Sequence, residues 1–190
     1  MTRFFVIDGL DGSGKDTQAL KLAAYLSRDG SETVLRVHPS ADNWLGRSAK
    51  SFLMRRGQLD RLMATLFYGF DVVRSLVIYY RGDRNVIFVR YTMACAYLPR
   101  GVIQPVYAIV RVFLPVSDNM FFIDVDPAEA LRRIRLRGDD REMFETLPHL
   151  EKNRRRALQI TGDWKVIDGN PGPDEVFAQI LSRMSESYKS

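Results

Sequence analysis

Nine residues near the N-terminus read Gly9-Leu10-Asp11-Gly12-Ser13-Gly14-Lys15-Asp16-Thr17, between an apolar run and an amphipathic stretch. Glycines there let the backbone turn sharply and bring N–H groups onto phosphate oxygens. A helix starting near Lys15 would point its positive N-terminus at the same anion. Gly9, Gly14 and Lys15 meet the G-x-x-x-x-G-K spacing of a P-loop, in which the lysine spans the outer phosphates of a triphosphate. Such a loop needs a buried strand before it and a helix after it, so the motif fixes an α/β fold. The usual next residue is Ser or Thr, whose hydroxyl holds magnesium; here it is Asp16, with Thr17 one later. A glycine-rich strand–helix turn without a ligand is the bland alternative, and the lysine in register argues against it.

The rest of the chain repeats the strand–helix rhythm. Apolar runs at residues 3–8, 33–37, 85–89, 120–124 and 164–168 suit parallel strands buried on both faces. Helical spacing covers 15–28, closed by Asp29-Gly30, and then 42–80 in two pieces with a break near Gly57. Residues 91–98 read as a turn or helix, 101–115 as a helix, and 127–137 as a strongly basic helix opening on a proline. A loop over 138–148 precedes helices at 150–160 and 174–184. The expected architecture is a three-layer fold of the P-loop NTPase type, a five-stranded parallel sheet flanked by helices. It forms one domain over residues 1–190, with a lid segment around 137–148.

Composition narrows the partners. The chain has 190 residues, a net charge of +5 and a pI near 9.5, with the excess gathered at Leu131 to Arg137 and Arg154 to Arg156. Local clustering favours anionic small molecules over nucleic acid or a membrane. Cys95 is the only cysteine and His38 and His149 the only histidines, so disulfides and cysteine-built zinc sites drop out. The apolar start is too short for a signal peptide, and no run reads as long enough to span a membrane. A cytoplasmic protein is expected.

From Ile7 to Gln18, IDGLDGSGKDTQ resembles the P-loop of thymidylate kinases, E-G-x-D-G-x-G-K-T-T-Q. Phe121 to Gly138 is similar to the family's strand and helix leading to its lid. Arg90-Tyr91 with Ala96-Tyr97 resembles its D-R-Y…A-Y segment, Leu66-Phe67 its L-F, and Trp164 to Asp168 its last strand. The resemblance implies transfer of the γ-phosphoryl of ATP, with Mg2+, to a nucleoside monophosphate such as dTMP. It implies that Lys15 and the loop from Gly9 to Thr17 hold the donor phosphates, and that Asp11 accepts from the acceptor sugar. Arg90 would hold the acceptor phosphate, Phe67 would stack on the base and Tyr97 would pack near the sugar. Arg133, Arg137 and Arg141 would supply a lid arginine, because the P-loop carries none. A homodimer is implied as well, through helices flanking the acceptor site.

Four positions depart from the pattern. Asp16 replaces the magnesium-side hydroxyl, and Val89 replaces the aspartate of D-R-Y. Val37 replaces an arginine before Pro39, and Asp71 replaces an arginine that reads the thymine carbonyl. Asp16 is read as restoring near the metal the carboxylate lost at Val89. Asp71 cannot donate to a carbonyl, so it points to a base offering N–H donors, while Arg74, three residues on, could reach the acceptor. Competing readings are a nucleotide-binding protein with little transfer activity and, from the pI alone, a nucleic-acid-dependent ATPase. Phe67 could equally be core, the lid arginines a solvated face, and Asp11 a loop-shaping residue.

Overall fold

The computed structural model describes residues 3–55, 57–98, 100–138 and 146–184, without the side chains of residues 58, 61, 97 and 100. Five strands make one parallel sheet in the order β2-β3-β1-β4-β5: β1 (Arg3–Gly9), β2 (Thr33–Val37), β3 (Asn85–Val89), β4 (Met120–Asp124) and β5 (Lys165–Asp168). Register follows pairs such as Ile7 with Val89 and Ile7 with Phe121. Among the described residues, seven α-helices surround it: α1 (Lys15–Leu26), α2 (Trp44–Leu53), α3 (Gln58–Tyr79), α4 (Ile103–Phe113), α5 (Pro127–Arg137), α6 (Leu147–Ala157) and α7 (Pro173–Arg183).

The strands are apolar throughout because both faces are covered. Alternation sends Phe4, Val6, Val86, Phe88, Met120 and Phe122 to one side, where α3, α4 and α6 pack. The other side receives Phe5, Ile7, Ile87, Val89, Phe121 and Ile123, under α1 and α7. The central strand β1 is fully enclosed, and its C-terminal end delivers the glycine loop. Crevices at the carboxyl ends of such strands are where open α/β sheets take ligands.

Most element boundaries agree with the sequence reading, and two expectations need correction. The segment read as a loop to Pro148 is already helical from Leu147, since Pro148 sits in the first turn, where its missing N–H leaves no intrahelical bond unmade. The stretch Leu62–Tyr79 of α3 is, against expectation, long and apolar enough to cross a membrane by length and composition. Only 28% of it is buried in the protein. Its exposed face carries Leu59, Leu62, Leu66, Phe70, Val73 and Val77, a helical stripe of apolar side chains.

Candidate active site

Gly14 caps α1 in the left-handed region at φ +85°, and Gly12 lies there too at φ +79°. At Gly12 a side chain is also excluded sterically, because a Cβ would stand 2.5 Å from the Ala130 carbonyl oxygen on α5. Lys15 is buried, and its Nζ donates to the Leu10 carbonyl at 3.0 Å and to Asp11 Oδ1 at 3.1 Å. The same Asp11 oxygen accepts from Arg90 Nη2 at 2.8 Å. One carboxylate therefore bridges the loop lysine and the arginine at the end of β3. Burial by itself would raise the Asp11 carboxyl, but the Lys15 and Arg90 charges outweigh it and hold the group far below the usual carboxylate range.

Arg90 reaches this place through an unusual backbone. Its φ is +59°, a conformation few residues other than glycine adopt. Three neighbours hold it there. Arg90 N–H donates to the Ile7 carbonyl at 3.4 Å, the Tyr68 hydroxyl donates to the Arg90 carbonyl, and Tyr91 N–H donates to Asp8 Oδ2 at 3.0 Å. Asp8 also accepts from Gly9 N–H at 2.9 Å, so it clamps β1 to the turn after β3. Burial raises its carboxyl, with the Gly9 hydrogen bond and the Lys15 charge opposing. Asp16, half-exposed in the first turn of α1, places Oδ1 3.9 Å from Arg90 Nη1. Burial would weaken the Arg90 cation, and the Asp11 and Asp16 charges reverse that and raise its pKa.

Beside the loop lies a cleft of about 420 Å³ lined by Ser13, Gly14, Arg132, Arg133, Asn170 and Pro171. Arg133 shapes its wall: Nε donates to Glu129 at 2.7 Å, and Nη1 and Nη2 donate to the Gly169 and Asn170 carbonyls at 2.9 Å each. Arg132 forks onto the same Glu129 at 2.7 and 2.8 Å. Hydrogen bonds to those two arginines hold the Glu129 carboxyl down at about 2.

On the other side of the loop, Phe67 is half-buried. It stacks on Phe52 with ring centroids 5.6 Å apart and meets Trp44 edge-on at 5.8 Å. Asp71 is fully buried and accepts from Ser40 N–H at 2.6 Å, Ser40 Oγ at 2.7 Å and Asn43 Nδ2 at 2.8 Å. Arg36 is turned away, forked onto Asp42 at 2.8 and 2.9 Å.

The family model for thymidylate kinase matches residues 7–180. The chain belongs to the thymidylate kinase family. Among relatives, the thymidylate kinase of Leptospira borgpetersenii serovar Hardjo-bovis is 29% identical over 94% of this chain and 91% of its own length. That of Xanthomonas campestris pv. campestris is 32% identical over 91% of this chain and 78% of its own. A probable thymidylate kinase of Pyrobaculum aerophilum is 30% identical over 93% of each. The solved thymidylate kinase of Candida albicans superposes with a TM-score of 0.73 over 95% of this chain and 90% of its own, at 21% identity, which is a likeness of fold.

Against the thymidylate kinase pattern, the structure brings Asp11, Lys15, Asp16 and Arg90 together on the loop's lip. It does not bring Asp71 there. Asp71, expected to face the acceptor base, has its oxygens taken by Ser40 and Asn43, so it does not point to a base rich in N–H donors. Arg74, half-buried, keeps an Nη1 that makes no hydrogen bond. Arg133 is engaged in the cleft wall, and Arg137 is exposed in the last turn of α5. Arg141 and the side chain of Tyr97 lie outside the described residues. Sequence reasoning missed Asp8 and Tyr68; the carboxylate closing the FFVID run was the available signal for the first, and nothing local marked the second.

No three His, Cys, Asp or Glu side chains come together as a metal cage among the described residues. Magnesium commonly takes one or two carboxylates plus substrate phosphates, and the half-exposed Asp16 on the lip fits that need.

Proposed function

We propose that the chain transfers the γ-phosphoryl group of ATP to a nucleoside monophosphate, with dTMP as the acceptor its family implies. One observation carries this reading. Asp11 holds Lys15 on the donor side and Arg90 on the acceptor side, 3.1 and 2.8 Å from one oxygen. A donor chain cradled by the loop amides of Gly9 to Thr17 would draw Lys15 onto its outer phosphates. Arg90 would fix the acceptor phosphate, whose oxygen attacks the γ-phosphorus in line while the bond to the bridging oxygen breaks and ADP leaves. Magnesium, carried by the triphosphate and held by Asp16, would neutralise developing charge, and Asp11 would accept from the acceptor sugar hydroxyl. Arg137 and Arg141 would add charge from the lid. Phe67, Arg74 and Tyr97 are assigned to the acceptor nucleoside.

The partners are small nucleotides, not nucleic acid or membrane, and the place of action is the cytoplasm. The exposed α3 stripe from Leu59 to Val77 fits a homodimer, because a second copy would cover the same apolar side chains. A coupled ADP-release assay across all monophosphates, with and without magnesium, tests the activity. Magnesium-dependent turnover with dTMP is expected, and ATP binding without turnover on any monophosphate would overturn the proposal.

A further inference from the structure

We infer that Asp16 is an internal counter-ion for Arg90, competing with the acceptor phosphate in the donor-free site and letting go when the donor side fills. The inference rests on the proposed phosphoryl transfer. It starts from a count of charges. The lip of the loop sets two cations, Lys15 and Arg90, against two carboxylates, Asp11 and Asp16, with the buried Asp8 carboxyl behind them. A site meant for polyanions thus carries its own counter-ions.

The two carboxylates take different arms of the guanidinium. Asp11 sits at hydrogen-bond distance from Nη2, 2.8 Å away, and is itself tied to Lys15. Asp16 faces Nη1 across 3.9 Å, half-exposed, with no hydrogen bond closing the gap. The Asp11 arm is the fixed one and the Asp16 arm is the loose one. With Nη2 held by Asp11, Nη1 is the arm open to an acceptor phosphate, and a charge-assisted N–H bond there is a strong one. That arm is the one Asp16 shades.

Asp16 has a second place to go. It follows the P-loop lysine, where the side chain ordinarily faces the metal of a bound triphosphate. Turning toward a magnesium-loaded donor takes Asp16 off Arg90 and restores the cation. Val89 narrows the choice: with an apolar residue fully buried beside Arg90, the half-exposed Asp16 is the carboxylate on this lip placed to move between the two positions. Asp16 is thus a positioning residue that couples donor binding to acceptor binding.

Titration calorimetry on the whole 190-residue chain tests this, with dTMP and inorganic phosphate as probes. Half-exposed ion pairs reach about fivefold in an equilibrium constant. Asp16→Asn should then bind both probes about fivefold tighter without donor, and Asp16→Glu should keep the wild-type affinity. Adding magnesium with a non-hydrolysable ATP analogue should tighten dTMP binding to wild type and close most of the gap to Asp16→Asn. In an Arg90→Met background, Asp16→Asn should bring no gain. Equal donor-free affinities for wild type and Asp16→Asn would overturn the inference, as would a gain that survives Arg90→Met. If wild type binds no dTMP even with the analogue, the proposed acceptor fails, and the inorganic phosphate titrations still decide the role of Asp16.

Discussion

Replacing Asp71 by alanine tests whether this residue builds the fold or reads a substrate. The side chain accepts from Ser40 N–H, Ser40 Oγ and Asn43 Nδ2 at 2.6, 2.7 and 2.8 Å, in a fully buried position. A hydrogen bond to a charged group contributes about 1.5–3 kcal/mol, and stranding a buried donor costs about as much. The three bonds do not add, because two of them share Ser40. A loss of about 4 kcal/mol is expected. Asn43 adds a route for the damage. Its amide nitrogen is held by Asp71, so its oxygen is aimed at Gly46 N–H, 3.1 Å away, as the N-cap of α2. For a domain of this length each kcal/mol moves Tm by about 2–4 °C, so Asp71→Ala should lower Tm by about 12 °C. Scanning calorimetry with and without nucleotide measures it. A shift below about 3 °C, together with a changed choice of monophosphate, would refute the structural role and return Asp71 to the acceptor site.

Other perturbations probe other parts. His38 is fully buried between Phe88 and Tyr68, and burial pushes its imidazole down to about 4. The unfolded chain takes up a proton near pH 6.5 and the folded chain does not, so stability falls as pH drops from about 6.5 to 4; urea unfolding should show about 2 kcal/mol less at pH 5 than at pH 7, and His38→Leu should flatten that slope. Lys15→Ala should reduce turnover at least about a hundredfold and weaken ATP in a fluorescent-analogue titration, since it removes the one charge the loop extends to the outer phosphates. Val73→Glu, on the exposed stripe of α3, should shift the mass seen by light scattering from two chains to one of 21.8 kDa; an unchanged dimer would place the interface elsewhere.

The sheet was largely legible because its signal is local. Three strands, at 33–37, 85–89 and 120–124, fall where the apolar runs put them. The P-loop was legible for the same reason, as a contiguous motif in which Gly9 and Gly12 lack room for a side chain and Gly12 and Gly14 need a positive φ. What escaped reading depends on partners distant in sequence. Asp71 looks like any polar residue on a helix until the turn after β2 brings Ser40 and Asn43 to it. Phe67 stacks on Phe52 because α2 folds back along α3, and no spacing within α3 reports that. Asp16 was read through the metal because its place after Lys15 is local, whereas its approach to Arg90 depends on a left-handed turn at the end of β3. Asp8 was visible as a carboxylate closing a strand, but its hold on Tyr91 N–H was not.

The close approach of Gly12 to Ala130 has a mechanical consequence. The loop is seated on the base of α5 and, through Gly9, on the Ile123 carbonyl, to which a Cβ at Gly9 would come within 2.7 Å. The phosphate cradle is thus clamped between two elements of the interior and is not a free arch on the surface. Loads placed on it by a ligand pass directly into β4 and the first turn of α5. Its amide protons should therefore exchange with solvent at the pace of the core and not at the pace of a surface loop.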